Sequence, residues 1–225
     1  MQECCAALQH QFDDKMAKRQ LRRYRKRGAS RSTRLLIEAV EKAGPGESLL
    51  DIGGGIGMIQ DALLHDGVRA ATAVDASAAY LAAAEQLAVE RGYRDRLQFV
   101  FGDFVATAAS VPPADTVTLD RVICCYPDMA ALVRDSVAHA QRLYGIVVPR
   151  ETAPSRLGMR LANTFLRLSG SAFRGYVHPL ADIEAIIKAA GLRRIARRDT
   201  VIWTVRVYTR VRASGEPLNP AVTGR

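Results

Sequence analysis

The sequence predicts a single α/β domain built on a doubly wound, mostly parallel sheet. Short apolar runs alternate with helical segments between residues 48 and 149, and a glycine-rich turn follows the first run. Parallel neighbouring strands need a long crossover, usually a helix, so this alternation predicts helices on both faces of the sheet. The 225 residues are 48% hydrophobic, which is enough to bury a core of that size.

Residues 1–46 are predicted to form a basic, helical N-terminal cap on a main domain that spans residues 47–225. From Lys15 to Arg34 the chain has ten Lys or Arg and no Asp or Glu, and the Gly-Pro-Gly turn at 44–46 ends the helical region. The formal net charge of +9 suits an acidic partner. The cap is open to three interpretations: a solvated face, a nucleic-acid surface or contact with acidic lipid. The interpretation as a nucleic-acid surface is disfavoured, because Tyr24 is the only aromatic residue within the basic run.

Five strands and three helices are predicted in the central region. The predicted strands are 48–52, 71–75, 97–101, 116–120 and 143–148, and the predicted helices are 58–65, 77–91 and 129–140. Ser77 is a suitable cap for the second helix, in which Leu81, Ala84, Leu87 and Ala88 share one face.

The C-terminal part is predicted to begin with an insertion at about 150–179, which contains a helix at 155–168. A helix at 181–190, ended by Gly191, precedes two strands at 192–196 and 201–212 that are joined by a polar turn at 197–200. The insertion helix places three arginines opposite an apolar face. This pattern suits a lid over a substrate pocket, and it also suits peripheral contact with a membrane. The arginines are Arg156, Arg160 and Arg167, and the apolar residues are Leu157, Leu161, Phe165 and Leu168.

A glycine-rich turn between the first strand and its helix carries the strongest functional signal. It reads Asp51, Gly53, Gly55 and Gly57, and Asp75 ends the next strand eighteen residues later. Such a turn lets a ligand approach the backbone closely, and a carboxylate at the next strand end can accept hydrogen bonds from ribose hydroxyls. The spacing differs from the Gly-x-Gly-x-x-Gly of dinucleotide sites. An acid before the first glycine favours a cationic methionine moiety over a pyrophosphate.

Two further strands end in carboxylates, Asp103 (followed by Phe104) and Asp120. This series of motifs resembles that of class I S-adenosylmethionine-dependent methyltransferases. The resemblance implies a Rossmann-like, seven-stranded sheet that ends in an antiparallel hairpin, and S-adenosylmethionine as cofactor, with S-adenosylhomocysteine as product. It also implies that the glycines approach the methionine part, that Asp75 holds the ribose, and that Asp103, flanked by Phe104, reaches the adenine amino group. Asp120 would lie beside the sulfonium or the acceptor. Asp51 and Ala76 are further cofactor-binding candidates.

Two segments are similar to magnesium-protoporphyrin O-methyltransferases: residues 120–127, which read Asp-Arg-Val-Ile-Cys-Cys-Tyr-Pro, and residues 174–178, which read Arg-Gly-Tyr-Val-His. This chain has Cys125 where that family has a histidine, and a residue near Met16 replaces an N-terminal tyrosine. The likeness points to a small acceptor with acidic or apolar character. Tyr126 and His178 are the candidate catalytic residues beside it, and a general base is needed only if the nucleophile arrives protonated.

Other functions remain open from the sequence. A nucleic-acid methyltransferase could use the basic face, and a cofactor-binding protein could lack transferase activity. The vicinal pairs Cys4-Cys5 and Cys124-Cys125 could bind a soft metalloid awaiting methylation, although buried cysteines are often core residues. The sequence predicts no metal site. It has neither a long apolar span nor a signal-peptide pattern, so the expected location is the cytoplasm. It predicts no oligomeric state.

Overall fold

The computed structural model describes residues 13–211. The predicted pair Cys4-Cys5 and the end of the last predicted strand, at residue 212, lie outside this range. The strands are β1 (Ser48–Ile52), β2 (Ala70–Asp75), β3 (Leu97–Phe101), β4 (Ala114–Asp120), β5 (Ala140–Pro149), β6 (Leu192–Asp199) and β7 (Trp203–Arg210). The helices are α1 (Asp14–Arg27), α2 (Arg31–Ala43), α3 (Met58–His65), α4 (Ala78–Arg91), α5 (Phe104–Thr107), α6 (Met129–His139), α7 (Ala153–Leu168) and α8 (Leu180–Ala189).

The seven strands form one sheet in the order β3-β2-β1-β4-β5-β7-β6. Strands β1 to β5 pair parallel with one another, and β7 pairs antiparallel with both β5 and β6. The predicted α/β class, with a mostly parallel sheet and a closing antiparallel hairpin, is therefore confirmed. The carboxyl ends of β1, β2, β3 and β4 meet along one edge, where doubly wound sheets bind their ligands.

The N-terminal region consists of two helices, separated at Gly28. The Asp13 side chain caps α1 by accepting a hydrogen bond from the Met16 N–H at 2.8 Å, and Gly28 ends it with φ of 68°. Ser30 then caps α2 through the Thr33 N–H. The break allows the two helices to pack on different parts of the domain.

The two faces of the sheet bury separate apolar clusters. Strand residues alternate between them, so that Leu50 packs toward α6 and α8 whereas Leu49 packs toward α2 and α3. A third cluster joins α1 to α4, where Ala17 and Leu21 pack with Tyr80. This contact fixes α1 beside the carboxyl ends of β1 and β2.

The polar turn predicted at 197–200 is wrong for its first three residues. Arg197, Arg198 and Asp199 continue β6 and pair with β7. Asp199 accepts hydrogen bonds across the hairpin from the Arg206 guanidinium at 3.0 Å and the Thr204 hydroxyl at 2.5 Å. The strand can remain polar because it lies at the sheet edge with most of its residues exposed. The connection is therefore residues 200–202. No helix among residues 13–211 is long and apolar enough to cross a bilayer.

Candidate active site

A cavity of about 440 Å³ lies at the carboxyl ends of β1, β2, β3 and β4. Its wall includes six of the residues predicted to hold a cofactor, together with Asp120. Those six are Gly53, Gly55, Asp75, Ala76, Asp103 and Phe104. Two other predicted cofactor residues, Asp51 and Gly57, are not among the residues that line it. The parallel register of the strands thus brings together side chains that are far apart in the sequence.

The glycine turn presents its backbone to the cavity. Gly55 has φ of 57°, a conformation that residues with a side chain seldom adopt, and its N–H donates to the Asp75 carboxylate at 3.0 Å. Gly54, which the sequence motif left out, also lines the cavity. A Cβ atom there would collide with the Asp51 carboxylate, so this position requires glycine for reasons of space.

Asp51 lies underneath the turn. Its carboxylate is fully buried and accepts hydrogen bonds from the Thr118 hydroxyl at 2.7 Å and the Gln60 side-chain amide at 3.1 Å. These bonds tie the end of β1 to β4 and to α3. Burial raises the pKa of Asp51 to about 7. In this position Asp51 supports the shape of the turn and has no surface in the cavity.

Asp75 is held by two backbone donors and still faces the cavity. Its carboxylate accepts hydrogen bonds from the Ser77 N–H at 2.8 Å and the Gly55 N–H at 3.0 Å. Burial raises its pKa to about 6. A carboxylate offers about four acceptor sites, so this group can accept two more hydrogen bonds from a ligand.

Tyr126 is buried and its hydroxyl donates to the Asp103 carboxylate, 3.0 and 3.1 Å from its two oxygens. Asp103 also accepts a hydrogen bond from the Val105 N–H at 3.1 Å. The Tyr126 hydroxyl therefore lies at the β3 end of the cavity, and Phe104 lines the same end. The acceptor-side role predicted for Tyr126 stays a prediction, since its hydroxyl is already bound to Asp103.

Asp120 and Arg121 form an ion pair at the end of β4. The Arg121 Nε lies 3.0 Å from Asp120 Oδ1, and the Thr33 hydroxyl donates to Asp120 Oδ2 at 2.6 Å. Arg121 has φ of 62° and is the only residue other than glycine among 13–211 with a positive φ. Its guanidinium lies 5.9 Å from the centre of the Trp203 ring. Such backbone strain is concentrated at functional sites.

The sequence did not single out Arg121 as a site residue, although it lines the cavity. The positive φ of Arg121 and its position near Trp203 of β7 distinguish this residue, and neither can be seen in the local sequence. Gln20, Met159, Phe173 and Trp203 also line the cavity and were likewise missed.

Cys124 and Cys125 both line the cavity, with their sulfur atoms 3.8 Å apart. The hydrogen bond from Cys124 and the nearby Arg121 guanidinium lower the pKa of the Cys125 thiol. The described part of the chain contains no group of three or more potential metal ligands among His, Cys, Asp and Glu.

His178 lies behind the cavity wall. Its Nε2 is 2.9 Å from the Tyr126 carbonyl oxygen, and its ring stacks on Tyr176 with 5.3 Å between the ring centres. The Tyr176 N–H donates to the Cys124 carbonyl at 2.7 Å. These contacts fasten the segment after α7 to the end of β4. His178 itself does not line the cavity, so its predicted catalytic role has no direct contact to support it.

Helices α1 and α7 border the cavity from opposite parts of the chain. Met16 and Gln20 line it from α1, and the Gln20 amide donates to the Tyr80 hydroxyl at 2.6 Å. Met159 lines it from α7. Asn163 on the same helix exchanges two hydrogen bonds of 2.8 Å with the Gly175 backbone. Both segments that the sequence predicted as covers thus contact the cavity.

The sequence also identifies the family of the chain. The profile of the O-methyltransferase domain matches residues 5–193. The chain belongs to the O-methyltransferase family. The protein is therefore an enzyme that uses S-adenosylmethionine. No curated protein matched the sequence at a significant level.

Several solved structures share the fold of this chain. Magnesium protoporphyrin IX methyltransferase from Synechocystis PCC 6803, with bound S-adenosylmethionine, aligns with a TM-score of 0.68 and 19% identity over 93% of this chain and 98% of that protein. An O-methyltransferase family 2 protein from Planctomyces limnophilus, in complex with apigenin, has a TM-score of 0.60 and 23% identity over 80% of this chain and 62% of that protein. An O-methyltransferase family protein from Burkholderia thailandensis has a TM-score of 0.64 and 16% identity over 79% of this chain and 56% of that protein.

Proposed function

We propose that this enzyme transfers a methyl group from S-adenosylmethionine to an oxygen atom of a small, largely apolar acceptor that carries an acidic group. The supporting observation is the composition of the cavity. Its strand-end side carries the glycine turn, Asp75 and Asp103, and Arg121 lines the same cavity beside the Trp203 ring. Further apolar residues of the lining include Met16, Val122, Met159 and Phe173.

The strand-end side fits the cofactor. In this proposal the turn at Gly53 and Gly55 accommodates the methionine part, because the backbone there has no side chains to keep a ligand away. Asp75 accepts hydrogen bonds from the ribose hydroxyls and Asp103 from the adenine amino group. Asp51 is a positioning residue, since its buried carboxylate lies against Gly54 in the turn. Tyr126 lines the cavity and also holds Asp103 in place through its hydroxyl.

S-adenosylmethionine supplies an electrophilic methyl group on a sulfonium. The work left to the protein is alignment, because in-line displacement depends on the relative placement of the two reactants. Arg121 is fixed by Asp120 on one side and by the Trp203 ring on the other. A fixed guanidinium can hold an acidic group of the acceptor and favour its deprotonated form. A phenol or carboxylic acid that arrives ionised needs no general base.

The size of the cavity limits the acceptor. Its volume of about 440 Å³ lies in the lower part of the range of roughly 300–1,000 Å³ that is usual for ligand sites. The cofactor and the acceptor must share this space. We therefore expect an acceptor smaller than a porphyrin.

The experiment that tests this proposal follows the fate of labelled methyl groups. The purified protein is incubated with radiolabelled S-adenosylmethionine and, in separate reactions, a deproteinised small-molecule extract, magnesium protoporphyrin IX, apigenin and total RNA. Label in extractable small molecules supports the proposal, and mass spectrometry then identifies the product. Label confined to nuclease-sensitive material refutes it and makes the basic face of α1 the substrate platform.

A matched pair of arginine variants tests the acceptor contact. Arg121→Gln keeps the strained backbone but removes the charge, and Arg193→Gln removes an exposed arginine from β6. Loss of a charge-assisted hydrogen bond of about 1.5–3 kcal/mol predicts a fall in kcat/KM of roughly 10- to 100-fold for Arg121→Gln. Arg193→Gln is expected to behave as the wild type. Equal activity of both variants on the identified acceptor would contradict the contact.

A further inference from the structure

The outer face of α7 is an apolar surface that no described part of the chain covers. None of its 16 residues is buried. Leu157, Leu161, Phe165 and Leu168 are 58%, 63%, 71% and 83% exposed, respectively. Their spacing of four, four and three residues places them on one side of the helix. Single exposed apolar residues need no explanation, but four in one row on one helix mark an interaction surface.

Positive charge flanks this apolar row. The helix contains Arg156, Arg160 and Arg167 and no Asp or Glu. At 100° per residue, the three arginines lie along one border of the apolar row, and the placement opposite that row expected from the sequence is wrong. Arg156 is 3.3 Å from Glu151, whereas Arg160 and Arg167 have no acidic residue within ion-pair distance in the part of the chain that is described.

The opposite side of α7 faces the cavity. Met159 lies about half a turn around the helix from the apolar row and lines the cavity wall. The helix therefore separates the cavity from whatever contacts its outer face.

From these observations, we propose that α7 docks on the surface of an anionic phospholipid bilayer. The four apolar side chains enter the boundary between headgroups and acyl chains, and the arginines contact lipid phosphates. A bilayer supplies the negative charge that α7 lacks. A second copy of the same helix would bring only further arginines, so charge complementarity favours lipid over self-association. This docking is independent of the identity of the methyl acceptor.

Vesicle co-sedimentation of the full chain tests the proposal. Binding is expected to vesicles of equal parts phosphatidylcholine and phosphatidylserine, but not to vesicles of phosphatidylcholine alone, and to weaken as salt is added. Leu161→Gln and Phe165→Gln are each expected to lower the vesicle affinity by about tenfold, because each removes an inserted apolar side chain. Val89→Gln on α4 is the matched control, since Val89 and Leu161 are both 63% exposed.

The charge is tested separately. Arg160→Gln and Arg167→Gln are each expected to lower the affinity for anionic vesicles about fivefold. Arg193→Gln on β6 is the control for a general loss of charge. Equal affinity of the Leu161→Gln and Val89→Gln variants for anionic vesicles would overturn the proposal. It would also be overturned if neither the wild type nor Leu161→Gln bound vesicles, while the wild type was a dimer and Leu161→Gln a monomer. The latter would assign the surface to a second copy of the chain.

Discussion

Replacement of Asp75 provides the sharpest test of the cofactor site. Its carboxylate accepts hydrogen bonds from the Gly55 and Ser77 N–H groups, at 3.0 and 2.8 Å, and retains capacity for a ligand. We expect it to accept two hydrogen bonds from the ribose of S-adenosylhomocysteine. Hydrogen bonds that involve a charged group contribute about 1.5–3 kcal/mol each.

Loss of both bonds in Asp75→Ala therefore corresponds to about 3–6 kcal/mol, or roughly a hundred- to ten-thousand-fold weaker binding. Asp75→Asn keeps one acceptor oxygen and is expected to fall between this variant and the wild type. Isothermal titration calorimetry with S-adenosylhomocysteine measures the effect directly. Asp95→Asn, at an exposed position before β3, is the control.

The same site predicts a pH dependence. Burial raises the pKa of Asp75 to about 6, so the free protein carries a neutral Asp75 below that pH. Affinity for S-adenosylhomocysteine is then expected to fall by up to about tenfold for each pH unit below 6, and this dependence should disappear in Asp75→Asn. An affinity for Asp75→Ala within about threefold of the wild type would refute the ribose assignment, because even one lost charged hydrogen bond costs more.

Three other variants test separate parts of the site. Asp51→Asn should reduce the fall in stability that urea unfolding shows for the wild type as pH rises from about 4 to 7. The folded-state pKa of Asp51, about 7, lies above the usual 3.8, so this group contributes at most about 1.4 kcal/mol per pH unit. The contribution of Asp75, whose pKa is raised to about 6, should remain in the variant. Tyr126→Phe should raise the dissociation constant of S-adenosylhomocysteine about fivefold, because one hydrogen bond to Asp103 is lost. The pH profile of turnover should stay unchanged in this variant, whereas removal of a catalytic tyrosine would alter it. Cys125→Ser should retain turnover of an oxygen acceptor in a radiolabel assay, because the proposed transfer does not use the thiol, and loss of that turnover would contradict this. Methylation of a soft metalloid by the wild type but not by Cys125→Ser would instead support the metalloid hypothesis.

Much of the fold followed from local patterns. Apolar runs bounded by turn residues predicted β1 and β3 at their observed bounds, and the predicted faces of α4 are buried as expected. The strand-end carboxylates Asp75, Asp103 and Asp120 could be grouped, because parallel strands direct their carboxyl ends to one edge. Each of these signals lies within a few residues or follows from topology alone.

The missed features depend on contacts between distant segments. The polar end of β6 is stable as a strand because Asp199 meets Arg206 across the hairpin, and the polar sequence alone suggested a turn. Arg121 lines the cavity, and its positive φ and its position near Trp203 could not be seen in the local sequence. The hydroxyl of Tyr126 bonds to Asp103, which ends a different strand, so the Tyr-Pro motif could not indicate its direction.

The contact between α1 and the cavity brings together segments that are far apart in the sequence. Met16 and Gln20 are near the start of the chain, yet they complete a cavity whose other walls extend to Trp203. We therefore expect docking of α1 and binding of ligands in the cavity to be thermodynamically coupled, and such coupling is reciprocal. A change that loosens α1 should weaken ligand binding, and a bound ligand should protect α1 from local unfolding to the same extent in free energy. Protection of the α1 amides from hydrogen exchange would then report whether the cavity is occupied.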